Sequence, residues 1–358
     1  MKIFTVGPVS MYPQTYEITG KQTPYFRTQE FSEIMFETDK SLLNLLNAPE
    51  GSKNVFLTLS GTGAMEATLI NLAKADDKFL VIDGGLFGHR FVEMCEVHQI
   101  NHEVLTLEFK EELTFEHLNK YSNQGFTGIL VNIHETSTGQ LYDSKVISEF
   151  CLKENLLFVI DAISSFLADP LDMSEIGADA IIYSSHKAMA LNPGISVVTI
   201  SPKAYKERVV GQPVKLMYMD FNAHIDSMTR GQTPFTPAVN VALTMNDMLV
   251  EINKNGIDYK IEKTRELALD FREKIKEVPQ VEIPEFPMSN ALTTLIFKDN
   301  EAKAVHKILS EKYHLMLTPN GGELADTVLR VGHIGNHFKD ENDEIVQAVK
   351  EIYSEGLI

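Results

Sequence analysis

Four short runs, Phe79-Leu80-Val81-Ile82, Gly128 to Ile133, Leu156 to Ile160 and Ala180-Ile181-Ile182-Tyr183, are apolar almost without interruption and rich in valine and isoleucine. A strand with one wet face alternates apolar and polar residues, so runs without alternation need cover on both faces. Helices on the two sides of a mostly parallel sheet give that cover. The runs beginning near 128, 156 and 180 are spaced by roughly the ~30 residues of a βαβ unit. Amphipathic stretches at Ala64 to Ala73 and Phe87 to His98 read as helices, and Val55 to Leu59, His102 to Phe109 and Ile195 to Ile200 as further strands. From Val241 onward the texture changes to long charged helical stretches, notably Asp258 to Glu277, with strands at Ala291 to Phe297 and Val328 to Val331. A chain of 358 residues exceeds one simple core. The expected organisation is an α/β protein with an N-terminal segment 1–15, a large domain 16–245 and a smaller α+β domain 246–358, the boundary falling near 240 to 250.

Charge and composition exclude several classes. The net charge of −18, with no clustered Lys and Arg, disfavours nucleic acid and acidic membrane surfaces as partners. Two cysteines, Cys95 and Cys151, make no disulfide framework, which fits a reducing compartment. The start, Met1 to Pro8, is too poor in apolar residues for a signal peptide, and no segment approaches a membrane span. A cytoplasmic location is expected.

In open parallel sheets, ligands gather at the carboxyl ends of the strands, and polar clusters fall there. Ser60-Gly61-Thr62-Gly63 joins a strand to a helix, where free amides and the helix dipole can cradle a phosphate; an ordinary glycine turn is the plainer account. Glu66 stands where a dinucleotide fingerprint needs its third glycine, and no Walker-type lysine follows, so a plain nucleotide-binding domain is disfavoured. Phe87, between Gly84-Gly85-Leu86 and Gly88, is either core or a stacking platform for a flat ring. Asp161 follows five apolar residues; it is either a cap for the next segment or a buried carboxylate that requires a cationic or protonated partner. Lys187, in Ser184-Ser185-His186-Lys187, ends another buried run; it is either solvated or a desolvated nucleophile able to form a Schiff base with an aldehyde. His134 and His186 lack paired-ligand spacing and read as pocket or core residues. Together the clusters supply what a pyridoxal phosphate site needs: a phosphate cradle, an aromatic face, an aspartate for the ring nitrogen and a lysine for the aldehyde.

At this point the chain resembles the class V aminotransferases, in the group of alanine–glyoxylate, serine–glyoxylate and 2-aminoethylphosphonate–pyruvate transaminases. The resemblance runs through "GPVSMYP", "RTQEF", "SGTGAMEA", "GLFGHR", "HETSTG", "DAISS", "SSHKAMALNPG", "TPFTPAV" and "LRVGHIGN". It implies the aspartate-aminotransferase-like fold (fold type I), with a mostly parallel seven-stranded sheet and a smaller C-terminal domain. It implies pyridoxal 5′-phosphate as cofactor, with Lys187 its covalent partner, Asp161 on the ring nitrogen and Phe87 stacked on the ring. Gly61, Thr62 and Gly63, with Ser184 or Ser185, would hold the phosphate, and Thr136 would bond the phenolic oxygen. Thr236, and less directly Thr233, would reach the phosphate of the neighbouring subunit, which implies a homodimer. Arg330 would hold the substrate's carboxylate or phosphonate, and Gly7 would line the substrate entrance near Tyr25 to Thr28. The implied reaction is ping-pong transfer of an amino group from alanine, serine or 2-aminoethylphosphonate to pyruvate or glyoxylate, with "HETSTG" and the compact chain leaning toward 2-aminoethylphosphonate.

One position departs from the pattern. His186 precedes the lysine where these transaminases usually carry Gln or Asn, and His-Lys is common in cysteine desulfurases and selenocysteine lyases of the same fold. Those enzymes usually stack a histidine where this chain has Phe87, and they need a cysteine in the C-terminal domain, where this chain has none. A non-catalytic binding protein on the same fold would be expected to lack Lys187 or Asp161, and both are present.

Overall fold

The computed structural model describes residues 1–358. β1 (Lys2–Phe4) opens the chain but joins a sheet completed only near the other end. Next come β2 (Lys53–Leu57), β3 (Lys78–Asp83), β4 (Asn101–Thr106) and β5 (Gly128–Asn132), then a short hairpin of β6 (His134–Glu135) and β7 (Gln140–Leu141). β8 (Leu157–Asp161), β9 (Ala180–Ser184) and β10 (Ser196–Ile200) complete a seven-stranded sheet of order β2-β10-β9-β8-β5-β3-β4. Only β10 runs against its neighbours. The short link from Ser184 to Ser196 leaves no room for a crossover helix, so the chain turns back there.

The unbroken apolar runs have the cause the sequence implied. Within each strand, successive side chains point to opposite faces. Phe158, Ile160, Ile181 and Tyr183 enter one apolar cluster, while Val159, Ala180 and Ile182 enter the other. Neither face is wet, so neither shows polar alternation.

β11 (Val281–Glu282), β12 (Leu292–Phe297), β13 (Leu315–Pro319) and β14 (Val328–Gly332) form a second sheet with β1, ordered β1-β13-β14-β12-β11. β1 pairs parallel to β13 and the rest are antiparallel. β1 escapes sequence reading because three residues carry no period. Helices Ile257–Ile275, Ala302–Glu311 and Lys339–Ser354 supply Phe271, Val305 and Ile345 to a third apolar cluster against this sheet. Helix Val239–Asn255 instead buries Val239, Met245 and Leu249 in the first cluster. Gly256, at φ +89°, turns the chain between the two long helices in a conformation that side chains resist. No helix is long and apolar enough to cross a membrane.

The hairpin joins the two sheets. Arg330 Nη1 donates to Thr136 O at 2.8 Å, Asn320 Nδ2 to Ser137 O at 2.7 Å, Thr294 Oγ1 to Thr138 O at 2.6 Å and Ser289 N to Gly139 O at 3.1 Å. Four successive main-chain carbonyls thus accept from groups of the C-terminal part of the chain.

Candidate active site

β2, β3, β5, β8 and β9 all point their carboxyl ends the same way, and the sequence clusters converge there. Lys187 stands three residues past β9, in a turn closed by Ala190 N donating to Lys187 O at 2.8 Å. Its side chain is buried, and Nζ donates to the Val6 carbonyl at 2.9 Å. Burial lowers its pKa to about 8; Asp161 pulls it back up, while Arg330 and Arg90 push it further down. Asp161 ends β8, wholly buried, with Oδ1 accepting from Ile163 N at 2.8 Å and Oδ2 from Asn132 Nδ2 at 2.6 Å. Burial raises its pKa to about 6, against those two bonds and the attraction of Lys187. Its two hydrogen-bond partners are neutral, so the carboxylate has no bonded cation.

Helix Gly61–Leu72 aims its amino end at the same place. Its cap, Ser60, makes no side-chain bond to the first turn, which leaves the amides there free of a protein cap. A Cβ on Gly61 would lie 2.5 Å from Ile163 Cδ1 and 2.9 Å from Ser184 Oγ, so a side chain there would have to push both aside for the helix to start this close to the ends of β8 and β9. Ser184 Oγ pairs with Ser196 Oγ at 2.7 Å. Ser185 turns to donate to Asn192 O at 2.7 Å instead. Phe87, half-buried, sits in the first turn of helix Leu86–Val97. Arg90 from the same helix lies 5.0 Å over the Phe87 ring and donates to Thr62 Oγ1 at 2.6 Å, linking the two helix ends.

Thr136 is buried, its hydroxyl 2.8 Å from Ser164 Oγ. Arg330 reaches in from β14 and is buried; Nη1 and Nη2 donate to Thr136 O and Pro319 O, at 2.8 and 2.6 Å, while Nε has no partner. Burial lowers its pKa to about 10, and the charge of Glu135 opposes that. Gly7 packs on the lysine, and a Cβ there would lie 2.6 to 2.7 Å from Lys187 Cδ, Cε and Nζ, at a φ of +140°. Gly7→Ala is therefore expected to destabilise the fold by about 1–3 kcal/mol. In a Lys187→Ala background the steric share should vanish and only the backbone share remain. Thermal unfolding of the four proteins of that cycle checks this; equal losses in both backgrounds would mean that Gly7 and Lys187 are not in contact.

Two expected members stand apart from this group. Thr233 is buried, its hydroxyl donating to Phe235 O at 2.7 Å, and Thr236 is exposed. Their loop is clamped by Arg27, whose guanidinium donates to Thr233 O at 2.7 Å, Gln232 Oε1 at 3.1 Å and Pro234 O at 3.2 Å. No hydrogen bond joins the loop to Lys187 or Asp161.

His134 is wholly buried with neither ring nitrogen bonded, its pKa lowered to about 3 by burial and then by Lys187 and Arg330. Burial lowers His186 to about 4. Both rings are neutral at physiological pH. Sequence reading missed Asn132, Ser164, Glu135, Arg90 and the Val6 carbonyl. Ser164, Glu135 and Arg90 stand inside the "DAISS", "HETSTG" and "GLFGHR" segments and Asn132 inside the Gly128 to Ile133 run, but what each of them, and the Val6 carbonyl, touches is decided only by tertiary packing.

Comparison with known proteins shows which family the chain matches. The family profile described as Aminotransferase class-V matches residues 9–334. The soluble hydrogenase 42 kDa subunit of Anabaena cylindrica is 29% identical, covering 92% of this chain and 87% of its own. The 2-aminoethylphosphonate–pyruvate transaminase of Phocaeicola vulgatus is 26% identical, covering 89% and 90%. Among solved structures, an aspartate aminotransferase of subgroup IV from Thermus thermophilus superposes with a TM-score of 0.91 at 23% identity, over 99% of each chain, a likeness of fold.

Proposed function

The chain belongs to the class V aminotransferases, a family that uses pyridoxal phosphate, and from that premise we propose that it moves an amino group from alanine, serine or 2-aminoethylphosphonate to pyruvate or glyoxylate, with 2-aminoethylphosphonate the leading donor. The pairing that carries the proposal is the buried amine of Lys187 with the buried carboxylate of Asp161, at the ends of neighbouring strands. The choice of donor is supported by the "HETSTG" segment and by the activity named for the Phocaeicola vulgatus relative.

The residues suit the cofactor. Asn132 Oδ1, Arg330 Nε and His186 Nδ1 are buried without partners, Asp161 has no bonded cation, and the first turn of helix Gly61–Leu72 is uncapped by Ser60. Such groups call for a ligand with an anionic end and a protonated ring nitrogen. Pyridoxal phosphate, when bound, supplies an aldehyde that takes up the amino group and a ring that accepts electrons from the donor's α-carbon.

The chain does the rest. Gly61, Thr62, Gly63 and Ser184, with Ser185 behind them, hold the phosphate by amides and hydroxyls. Phe87 supports one ring face, and Thr136 with Ser164 bonds the phenolic oxygen. Asp161 keeps the ring nitrogen protonated. Arg330 orients the substrate's anionic group, and Gly7 leaves room beside it. Lys187 Nζ would take the proton from the donor's α-carbon and return it two atoms along, to the carbon that came from the aldehyde, a task for which a pKa near 8 suits it. The donor's carbonyl product leaves before the acceptor enters. The exposed Thr236 hydroxyl and the clamped Thr233 would complete the phosphate site of a second subunit, which makes the working form a homodimer.

Sulfur removal fits less well, since Cys95 and Cys151 are buried in helices that cover the seven-stranded sheet. Burial pushes the Cys95 thiol up to about 12 and Cys151 higher still, the opposite of a reactive thiolate.

Covalent attachment of the cofactor needs the neutral amine. In the cofactor-free protein its rate should rise about tenfold per pH unit up to a pH near 8 and then level off, where an ordinary lysine would go on rising past 10. Stopped-flow absorbance after mixing with pyridoxal phosphate reads this directly, and a rise that continues to pH 10 would refute the lowered pKa.

The deciding experiment titrates the cofactor-loaded protein with each donor while following its visible absorbance. One donor should remove the band, and pyruvate or glyoxylate should restore it. A band that none of the three amines removes would exclude this donor set.

A further inference from the structure

We propose that Glu135 is a positioning residue of the site: a fixed carboxylate that caps helix Leu86–Val97 from outside and thereby sets where Phe87 stands. The inference rests on the proposed role of Phe87 as a ring platform. The helix cannot cap itself, because its N-cap is Gly85, which has no side chain. The hairpin caps it instead. Leu86 N donates to Ser137 Oγ at 3.1 Å, Phe87 N to Glu135 Oε2 at 3.2 Å and Gly88 N to Glu135 Oε2 at 2.8 Å.

The carboxylate is itself held. Its other oxygen accepts from Ser137 N at 3.0 Å and Ser137 Oγ at 2.5 Å, and the side chain is wholly buried. Every one of these contacts uses Glu135 as an acceptor, and a negative charge at a helix amino end is favoured by the dipole. The glycines of "GGLFG" make the approach possible. A Cβ on Gly85 would lie 2.8 Å from Glu135 Cγ and Cδ, and one on Gly88 would meet the Ile82 carbonyl at 2.7 Å. The same hairpin receives Arg330 on the carbonyl of Thr136, the next residue. Glu135 therefore references the aromatic platform and the substrate-side arginine to one short piece of backbone.

Glu135→Gln is nearly isosteric, but its amide NH₂ would face an N–H donor and leave it unmatched. The test is a double-mutant cycle with Phe87→Ala, read as the dissociation constant of pyridoxal phosphate from the cofactor-free protein by absorbance titration. Glu135→Gln should weaken binding about tenfold, the size expected for one unmatched buried donor. In the Phe87→Ala background the same change should alter binding by less than about twofold, since the platform is already gone. Unchanged binding in the first case, or the full tenfold loss in the second, overturns the proposal. If Glu135→Gln does not fold, Glu135→Asp, which keeps the charge but withdraws the carboxylate by one methylene, enters the same cycle with the same expectation. Failure of the unaltered protein to bind the cofactor would instead strike the proposed function.

Discussion

Lys187→Ala is expected to lower the transamination rate by about 10⁴-fold, the upper end of what a positioned proton-transfer group contributes. The expectation rests on position. Lys187 is the one buried lysine of the chain, held between the Val6 carbonyl, Gly7 and the ends of β8 and β9. No other amine can take its place, because the neighbouring cations, Arg330 and Arg90, are guanidiniums. The fold should survive, since burial already disfavours the charged form of the group that is removed. Single-turnover rates with the best donor, beside circular dichroism, check both halves. Retention of a tenth of the rate would move the proton-transfer role to another residue.

Asp161→Asn should lower the rate by about 10²–10³-fold, the range found when one preorganised electrostatic contact is removed. The amide fills the same space, its oxygen can accept from Ile163 N, and its NH₂ can donate to Asn132 once that amide turns its unpartnered Oδ1 inward, so the change isolates charge. Its pH dependence gives a second reading. Burial raises Asp161 above the ordinary carboxylate range, so the group is ionised above about 6 and protonated below it. A cofactor that needs the ionised form should bind more weakly as pH falls through that value. In Asp161→Asn this acid limb should disappear, leaving weak binding that is flat between pH 5 and 7. An acid limb that persists in the variant would assign it to another group. Above pH 7 the variant's deficit should be largest, because there the unaltered carboxylate is fully charged.

The residues that sequence reading found and those it missed differ in how their geometry is specified. Lys187, Asp161 and Gly61 announce themselves because each follows a buried strand, and strands in a parallel sheet deliver their ends to one edge. The runs that revealed the sheet are the runs that carry the site. Glu135 also follows a buried strand, standing three residues past β5 inside "HETSTG", but its role stayed hidden, because the helix amides it caps lie some fifty positions earlier, which no periodicity can point to. Arg27 stands in the "RTQEF" motif, and its grip on the Gln232 side chain and the Thr233 and Pro234 carbonyls depends on two loops meeting. β1 was too short to read, and the reversal of β10 followed from the length of a link rather than from composition. Local pattern reports burial well; it is silent about which loop closes on which.

The four carbonyls of the β6–β7 hairpin that receive Arg330, Asn320, Thr294 and Ser289 have one more consequence. An acceptor on the main chain does not change when its residue is replaced. Side chains from Thr136 to Thr138 can change without removing these acceptors, whereas Gly139, at φ +87° and against Thr294 Oγ1, has to stay glycine for the attachment to hold. A lineage can therefore vary the hairpin's side chains while the scaffold behind it stays still, so that change in sequence and constancy of shape are not in conflict in this molecule.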